Sequence, residues 1–164
     1  MYLRWTAVGG LAALACALAF WPAATTANPG IGWALAQRPG VSEVRATSTT
    51  GARLALSCAT SKTSGPPRYA ITLDGPPHGG RPFKAVLTVG PTHFAFDLNP
   101  TPGPTTSAWS ARSAKDERAF RAVATRIRAS KTPLKLKLGT TVSELFPADG
   151  AKAALGAQAL QCPE

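Results

Sequence analysis

The stretch Ala52-Arg53-Leu54-Ala55-Leu56-Ser57-Cys58 decides the fold of this chain. Every second residue in it is apolar, ending with Leu54, Leu56 and Cys58, so these side chains share one side of an extended strand. The residues before it, Thr49-Thr50-Gly51, are typical of a turn. We therefore predict a half-buried β-strand whose cysteine points toward the core.

The same alternation recurs along the chain, and it predicts several further strands. They are Trp33–Ala36, Val44–Thr47, Tyr69–Leu73, Phe83–Val89, Phe94–Leu98 and Leu134–Leu138. Loops are predicted at Ser61–Arg68, Asp74–Pro82 and Gly90-Pro91. The stretch Asn99–Arg112 is predicted to be a long connection, because its prolines resist both helix formation and pairing in a sheet.

Two segments have helical spacing instead. Ser113 followed by Asp116 resembles a capping box, and apolar residues then recur at helical intervals, which predicts a helix over Ala114–Ser130. A C-terminal helix is predicted with Asp149 as its cap. Its apolar stripe is Ala151, Leu155, Ala159 and Cys162. The predicted fold class is mainly β (β-rich α+β): an antiparallel sandwich-like sheet with one mid-chain helix and a C-terminal helix.

Composition supports a folded, strand-rich protein. The chain has 164 residues, of which 45% are hydrophobic and 16% charged, which excludes a disordered polymer, a collagen and a coiled coil. Fifteen glycines and fifteen prolines are more than a helical bundle tolerates.

The first 27 residues have the outline of a signal peptide. Arg4 precedes an uncharged run over Thr6–Phe20, and small residues at Ala23–Ala27 suit a signal peptidase. We predict cleavage after Ala27, which leaves residues 28–164 as a single β-rich exported domain of the periplasm or cell envelope, with no transmembrane segment. An uncleaved anchor over Trp5–Ala24 and a lipoprotein modified at Cys16 are the alternatives.

Cleavage leaves two cysteines, Cys58 and Cys162, in an oxidising compartment, and we predict that they form one disulfide. Such a bridge closes a loop of about 100 residues and contributes about 4 to 5 kcal/mol in the chain-entropy model. The alternative is a buried pair of free thiols.

We find no pattern that predicts catalysis or a cofactor. His78 and His93 have no ligand partner at metal-binding spacing, and no C-x-x-C motif is present, so no metal site is expected. A serine hydrolase using His93 and Asp97 is disfavoured, because four residues along a strand span about 13 Å, too far for the orienting hydrogen bond. We expect a protein that is not an enzyme.

The net charge of +10 favours anionic partners. Arg118, Arg121 and Arg128 lie on the predicted helix away from its apolar side, and Lys135 and Lys137 project from the following strand. If that strand packs beside the helix, these cations form one patch for phosphate or carboxylate groups. A solvated face that maintains solubility is the alternative. Nucleic acid is a poor candidate, because Trp109 alone is placed to add an aromatic ring.

Three pieces of the sequence resemble a known family. Gly32-Trp33, Gly51-x-x-Leu54-x-Leu56-x-Cys58, and Phe146-x-x-x-Gly150-x-x-x-Ala154-Leu155 ending in Cys162 resemble the invasion-associated locus B type of small exported proteins of Gram-negative bacteria. The resemblance spans most of residues 28–164. It implies an antiparallel β-sandwich-like domain, a periplasmic or envelope location, and a link to host-cell entry or envelope function without a catalytic residue. Asn99–Arg112 and the basic helix depart from the family's pattern.

Two functions are thus expected. The first is an exported, non-enzymatic binding or host-interaction protein whose basic patch contacts an anionic envelope or host-surface polymer. The second is a protein-directed inhibitor or envelope assembly factor that binds through the loops Asp74–Pro82 and Asn99–Arg112, since loops on a rigid scaffold often carry recognition.

Overall fold

Alternation of buried and exposed side chains builds most of this structure, a computed structural model that describes residues 32–60, 68–75, 80–102, 105–140 and 142–156. The strands are β1 (Trp33–Arg38), β2 (Val41–Thr47), β3 (Arg53–Ala59), β4 (Arg68–Asp74), β5 (Phe83–Val89), β6 (Thr92–Pro100), β7 (Thr106–Ser110), β8 (Leu134–Leu138) and β9 (Val142–Phe146). The helices are α1 (Ala114–Ala129) and α2 (Ala151–Ala154). The predicted β-rich, antiparallel fold class is confirmed.

The strands follow one another in the order β1-β2-β3-β4-β7-β6-β5-β8-β9, and every neighbouring pair is antiparallel. Strand β6 joins the two halves of this order. Its residues from Thr92 to Leu98 pair with β5, whereas Asn99 and Pro100 pair with β7. β6 therefore runs beside β5 for most of its length and pairs with β7 in a short ladder at its C-terminal end.

One face of the sheet is buried along most of its order, although on β1 Trp33 is buried and Leu35 is 36% exposed. On β3 the inward residues Leu54, Leu56 and Cys58 are each at most 2% exposed, as the alternation predicts. Inward residues of the other strands and of both helices belong to the same hydrophobic cluster. The described chain is therefore built around one core.

Helix α1 begins at the predicted cap. The Ser113 hydroxyl accepts a hydrogen bond from the Asp116 N–H at 3.2 Å, and the Asp116 carboxylate accepts one from the Arg112 N–H at 2.9 Å. The residues that face the core at helical spacing are Phe120, Val123, Ala124 and Ile127. Tertiary packing of this stripe, together with the cap, holds a helix in a chain rich in strands.

The first strand is fastened to the segment after the last one. The Trp33 indole N–H donates to the Pro147 carbonyl at 2.7 Å, and the Trp33 backbone N–H donates to the Asp149 carbonyl at 3.0 Å. Gly150 follows with a left-handed φ of 77°. A Cβ at Gly150 would lie 2.9 Å from the Trp33 carbonyl oxygen, so glycine allows the two segments to approach closely.

A second link joins the β2–β3 turn to β9. The Thr49 N–H donates to the Leu145 carbonyl at 3.3 Å. The buried Glu144 carboxylate accepts hydrogen bonds from the Ser48 hydroxyl at 2.8 Å and from the Thr50 hydroxyl. The last strand of the sheet order is thus held to the turn that precedes β3.

Three sequence predictions need correction. The stretch Asn99–Arg112 is not one long connection, because Thr106–Ser110 forms β7 between β4 and β6. Strand β9 was not predicted. Its inward residues are Glu144 and Phe146, and its outward Leu145 is 47% exposed, so the usual polarity is reversed at positions 144 and 145.

The third correction concerns α2. Gly150 occupies the N-cap position, and Asp149 gives no side-chain cap; its carbonyl accepts from Trp33 instead. Ala151 and Leu155 are buried, as predicted, but α2 ends at Ala154. Ala159 and Cys162 lie outside the described residues, as do the predicted signal peptide and residues 61–67 of the predicted Ser61–Arg68 loop.

We expect Gly150→Ala to destabilise the protein more than Gly90→Ala. Both glycines have a left-handed φ, which costs another residue about 1–2 kcal/mol. A Cβ at Gly90 meets nothing within 4 Å, whereas one at Gly150 meets the Trp33 backbone. The free energy of unfolding in urea should therefore fall by about 1–3 kcal/mol more for Gly150→Ala. Equal losses would contradict the close approach at Trp33.

The cap of α1 predicts a pH dependence of stability. Hydrogen bonds from the Arg112 backbone and from Ser113 hold the pKa of Asp116 below its ordinary value in the folded chain. The lowered pKa stabilises the fold fully above the ordinary aspartate pKa, and this contribution is lost as the pH falls through the lowered value. The difference in melting temperature between the wild type and Asp116→Asn should shrink over that acidic window. A difference independent of pH would contradict this role.

Candidate functional site

The arginines predicted on the mid-chain helix form an exposed row. Arg118, Arg121 and Arg128 are exposed on α1, outside the buried stripe of the helix that contains Phe120 and Ile127. Arg118 and Arg121 are three residues apart and are therefore neighbours on the helix surface, and Arg128 lies about two turns beyond Arg121. Ten residues of helix rise about 15 Å, so the row spans about that length. We call these three side chains the arginine row.

The middle member of the row is held by the core. The Arg121 guanidinium donates from Nη2 to the Tyr69 hydroxyl at 2.5 Å and lies 5.0 Å from the centre of the Tyr69 ring. Tyr69 is 3% exposed and its ring packs on Phe120 at 5.0 Å. The contact combines a hydrogen bond with a cation–π interaction, so it orients Arg121 before any ligand binds.

Lys135 and Lys137 lie elsewhere. Both are exposed on β8, on the opposite side of the strand from the buried Leu134 and Leu136. Helix α1 packs on the core side, chiefly against β4 and α2. The predicted single patch requires Lys135 and Lys137 to face the same side as α1, and they face the other side of β8. The two lysines and the arginine row therefore form separate basic surfaces.

The two lysines have a basic neighbour on the outward side of the sheet. Lys137 pairs with Val86 of β5 and Lys135 with Thr88, while Lys84 lies two positions before Val86 on the same face. Thr88 also pairs with His93, whose Nδ1 is 3.0 Å from the Thr88 hydroxyl. We call Lys84, Lys135 and Lys137 the lysine face. Asp97, opposite Lys84, partly offsets its charge.

Several carboxylates are used within the fold by uncharged donors. Asp74 accepts from the Thr105 hydroxyl at 2.7 Å, Asp116 accepts from the Arg112 backbone, and Glu144 accepts from Ser48 and Thr50. Hydrogen bonds of this kind stabilise turns and caps without a cation. The excess of basic side chains therefore stays at the surface.

Grooves in the described surface include two that lie near residues discussed above. One, of about 450 Å³, lies beside the Glu144 link and is lined by Thr50, Gly51, Ala52, Arg53, Asp74, Gly75 and Glu144. The other, of about 340 Å³, is lined by Asp97, Asn99, Trp109, Ser110, Arg112 and Asp116. We call the second one the Trp109 cleft.

Sequence reasoning missed Tyr69 as the partner of Arg121, because the contact joins residues far apart in the chain. It also missed the Trp109 cleft, because it placed Trp109 in a connection. The signal for β7 was present: the prolines of Asn99–Arg112 stop at Pro104, and no proline interrupts Thr106–Ser110.

His93 and Asp97, considered above for a serine hydrolase, are four residues apart on one strand. His93 and Asp97 are both exposed on the outward face of β6. The described residues contain no group of three or more histidine, cysteine or carboxylate side chains able to hold a metal ion. In the part of the chain that the structure describes, neither helix combines the length and hydrophobicity that a membrane crossing requires.

Comparisons of the chain with models of protein families, with curated proteins and with solved structures found no match.

Proposed function

We propose that this chain is an exported, non-enzymatic module that binds an anionic polymer of the cell envelope or of a host surface through the arginine row. The observation that carries the proposal is the row itself: Arg118, Arg121 and Arg128 lie on the exposed side of a helix that is anchored in the core. Guanidinium groups pair with phosphate, sulfate and carboxylate groups through paired hydrogen bonds.

The position of Arg121 supports binding over mere solubility. A solvated arginine loses side-chain entropy when it engages a ligand, but Arg121 is already oriented by Tyr69. Arg128, the last member of the row, lies with Arg126 in the last turn of α1, where basic residues complement the helix dipole. A rigid row of this length fits a repeating polyanion better than it fits a single small anion.

Export and the disulfide belong to the same proposal. The buried faces of β1–β4 and β5–β9 share one core, which supports a sandwich-like arrangement. Cys58 is fully buried on that face. Once the signal peptide and Cys16 are removed, Cys162 is the one cysteine left to pair with it. The proposed envelope location agrees with what the resemblance to the invasion-associated locus B type implies.

The disulfide can be tested on the protein recovered from the cell envelope. After denaturation without reduction, we expect no uptake of iodoacetamide, and after reduction both Cys58 and Cys162 should be alkylated. In Cys58→Ser, Cys162 should react without reduction. Mass measurement reads out the alkylation and the site of signal cleavage together. Alkylation of both cysteines in the unreduced wild type would contradict the bridge.

The arginine row can be tested against a variant of equal charge. R118Q/R121Q/R128Q and K84Q/K135Q/K137Q each remove three positive charges, the first from the arginine row and the second from the lysine face. On immobilised heparin, we expect the wild type to elute as ionic strength rises. The arginine variant should elute at much lower salt, and its slope of log affinity against log salt should fall by about one per lost contact.

The lysine variant measures the effect of net charge alone. It should shift only modestly, and lipopolysaccharide and anionic vesicles should show the same ranking as heparin. Equal shifts for the two variants would show that net charge, and not the row, sets retention. Retention that does not depend on salt would contradict anion binding altogether.

A further inference from the structure

The Trp109 cleft forms where two neighbouring strands separate. β6 and β7 pair only at Asn99 with Ala108 and at Pro100 with Ser107. One step further, Trp109 and Ser110 remain paired with β4, but β6 has turned away toward β5. The side-chain amide of Asn99 donates to the Asp97 carbonyl at 3.4 Å, at the point where the ladder has ended. The cleft therefore forms because β6 pairs with β5, and not with β7, beside Trp109 and Ser110.

An aromatic ring forms one wall of the cleft. Trp109 is partly exposed, and its ring packs edge-on against the buried Phe96, with 5.4 Å between ring centres and an interplanar angle of 61°. Phe96 holds the indole from the core side, and Trp109 also packs against the core cluster. A partly exposed indole held in this way is a rigid apolar surface at low entropic cost.

The other lining groups are polar and of both hydrogen-bonding kinds. Asp97 and Asp116 offer carboxylate acceptors, Arg112 offers guanidinium donors, and Asn99 and Ser110 offer both. Asp97, Asn99, Ser110 and Arg112 are exposed, so these groups are accessible. Hydrogen bonds within the fold leave the Asp116 carboxylate fixed in place through the Arg112 N–H.

We propose that the Trp109 cleft binds a neutral saccharide unit. A pyranose ring has an apolar face of C–H groups that fits an indole, and a rim of hydroxyls that both donate and accept hydrogen bonds. One aromatic wall with a polar rim matches that chemistry. A lipid or an apolar peptide requires more apolar walls, and a polyanion would meet the carboxylates of Asp97 and Asp116. This site is separate from the arginine row and does not depend on it.

The test is a titration of the full chain with neutral oligosaccharides of glucose and of N-acetylglucosamine, followed by tryptophan fluorescence. Trp33 is buried and bonded to Pro147, so Trp109 is the described indole that should respond. We expect a saturable change that persists at high salt, where binding through the arginine row is lost. That persistence separates the failure of this proposal from the failure of the proposed anion binding.

Two variants locate the response, with a third as the control. Trp109→Ala should abolish the fluorescence change. Asp97→Ala removes an exposed side chain outside the core and should weaken binding about tenfold or more, because hydrogen bonds to charged groups contribute about 1.5–3 kcal/mol. Asp149→Ala removes an exposed carboxylate outside the cleft and should bind like the wild type.

Three results would overturn the proposal. The first is the absence of a saturable response to either sugar series in the wild type. The second is an unchanged affinity in Asp97→Ala, which remains informative even if Trp109→Ala fails to fold. The third is an undiminished fluorescence change in Trp109→Ala, which would place the responding indole outside the cleft.

Discussion

The attachment of Trp33 to the Pro147–Asp149 segment is the constraint on which the rest of the structure depends. An antiparallel sheet has two edges, and its buried face stays wet at the ends unless they are covered. Here the first strand of the order donates two hydrogen bonds to the segment that follows the last strand. The pair of contacts lets inward residues from β1 to β9 share one core, and the absence of a side chain at Gly150 makes that approach possible.

This constraint also involves the residues on which the proposed resemblance to the invasion-associated locus B type rests. Trp33, Phe146, Gly150 and the Ala154-Leu155 pair are all at or beside the attachment, and Cys58 faces the same core. Their order in the sequence reflects how β1 is joined to the segment that follows β9. The three pieces therefore describe a way of closing a sheet, and they carry less information about a ligand, since the arginine row and the Trp109 cleft lie outside them.

Local pattern predicted much of the fold and little of the site. The strands with regular alternation, such as β3 and β8, and the capped helix α1 were found where expected, because side-chain period and capping are local properties. β9 escaped prediction because Glu144 faces inward, where it accepts hydrogen bonds from Ser48 and Thr50, residues that no local pattern connects to it. The single basic patch failed for a related reason: whether β8 lies beside α1 depends on sheet order, which joins β8 to β5 and β9.

The two proposed binding surfaces depend on which polar side chains the fold uses internally and which it leaves exposed. Asp74, Asp116 and Glu144 accept hydrogen bonds from uncharged groups within the fold, whereas the arginines of the row and the lysines of the lysine face are exposed. The arginine row lies along α1, and the cleft lies at its N-terminal end, where Arg112 and Asp116 contribute to the lining. The arginine row would therefore attract anionic groups along the length of α1, and the cleft would bind a saccharide ring by shape at the start of the helix. A ligand can occupy either surface without the other, so the two binding events differ in their dependence on salt.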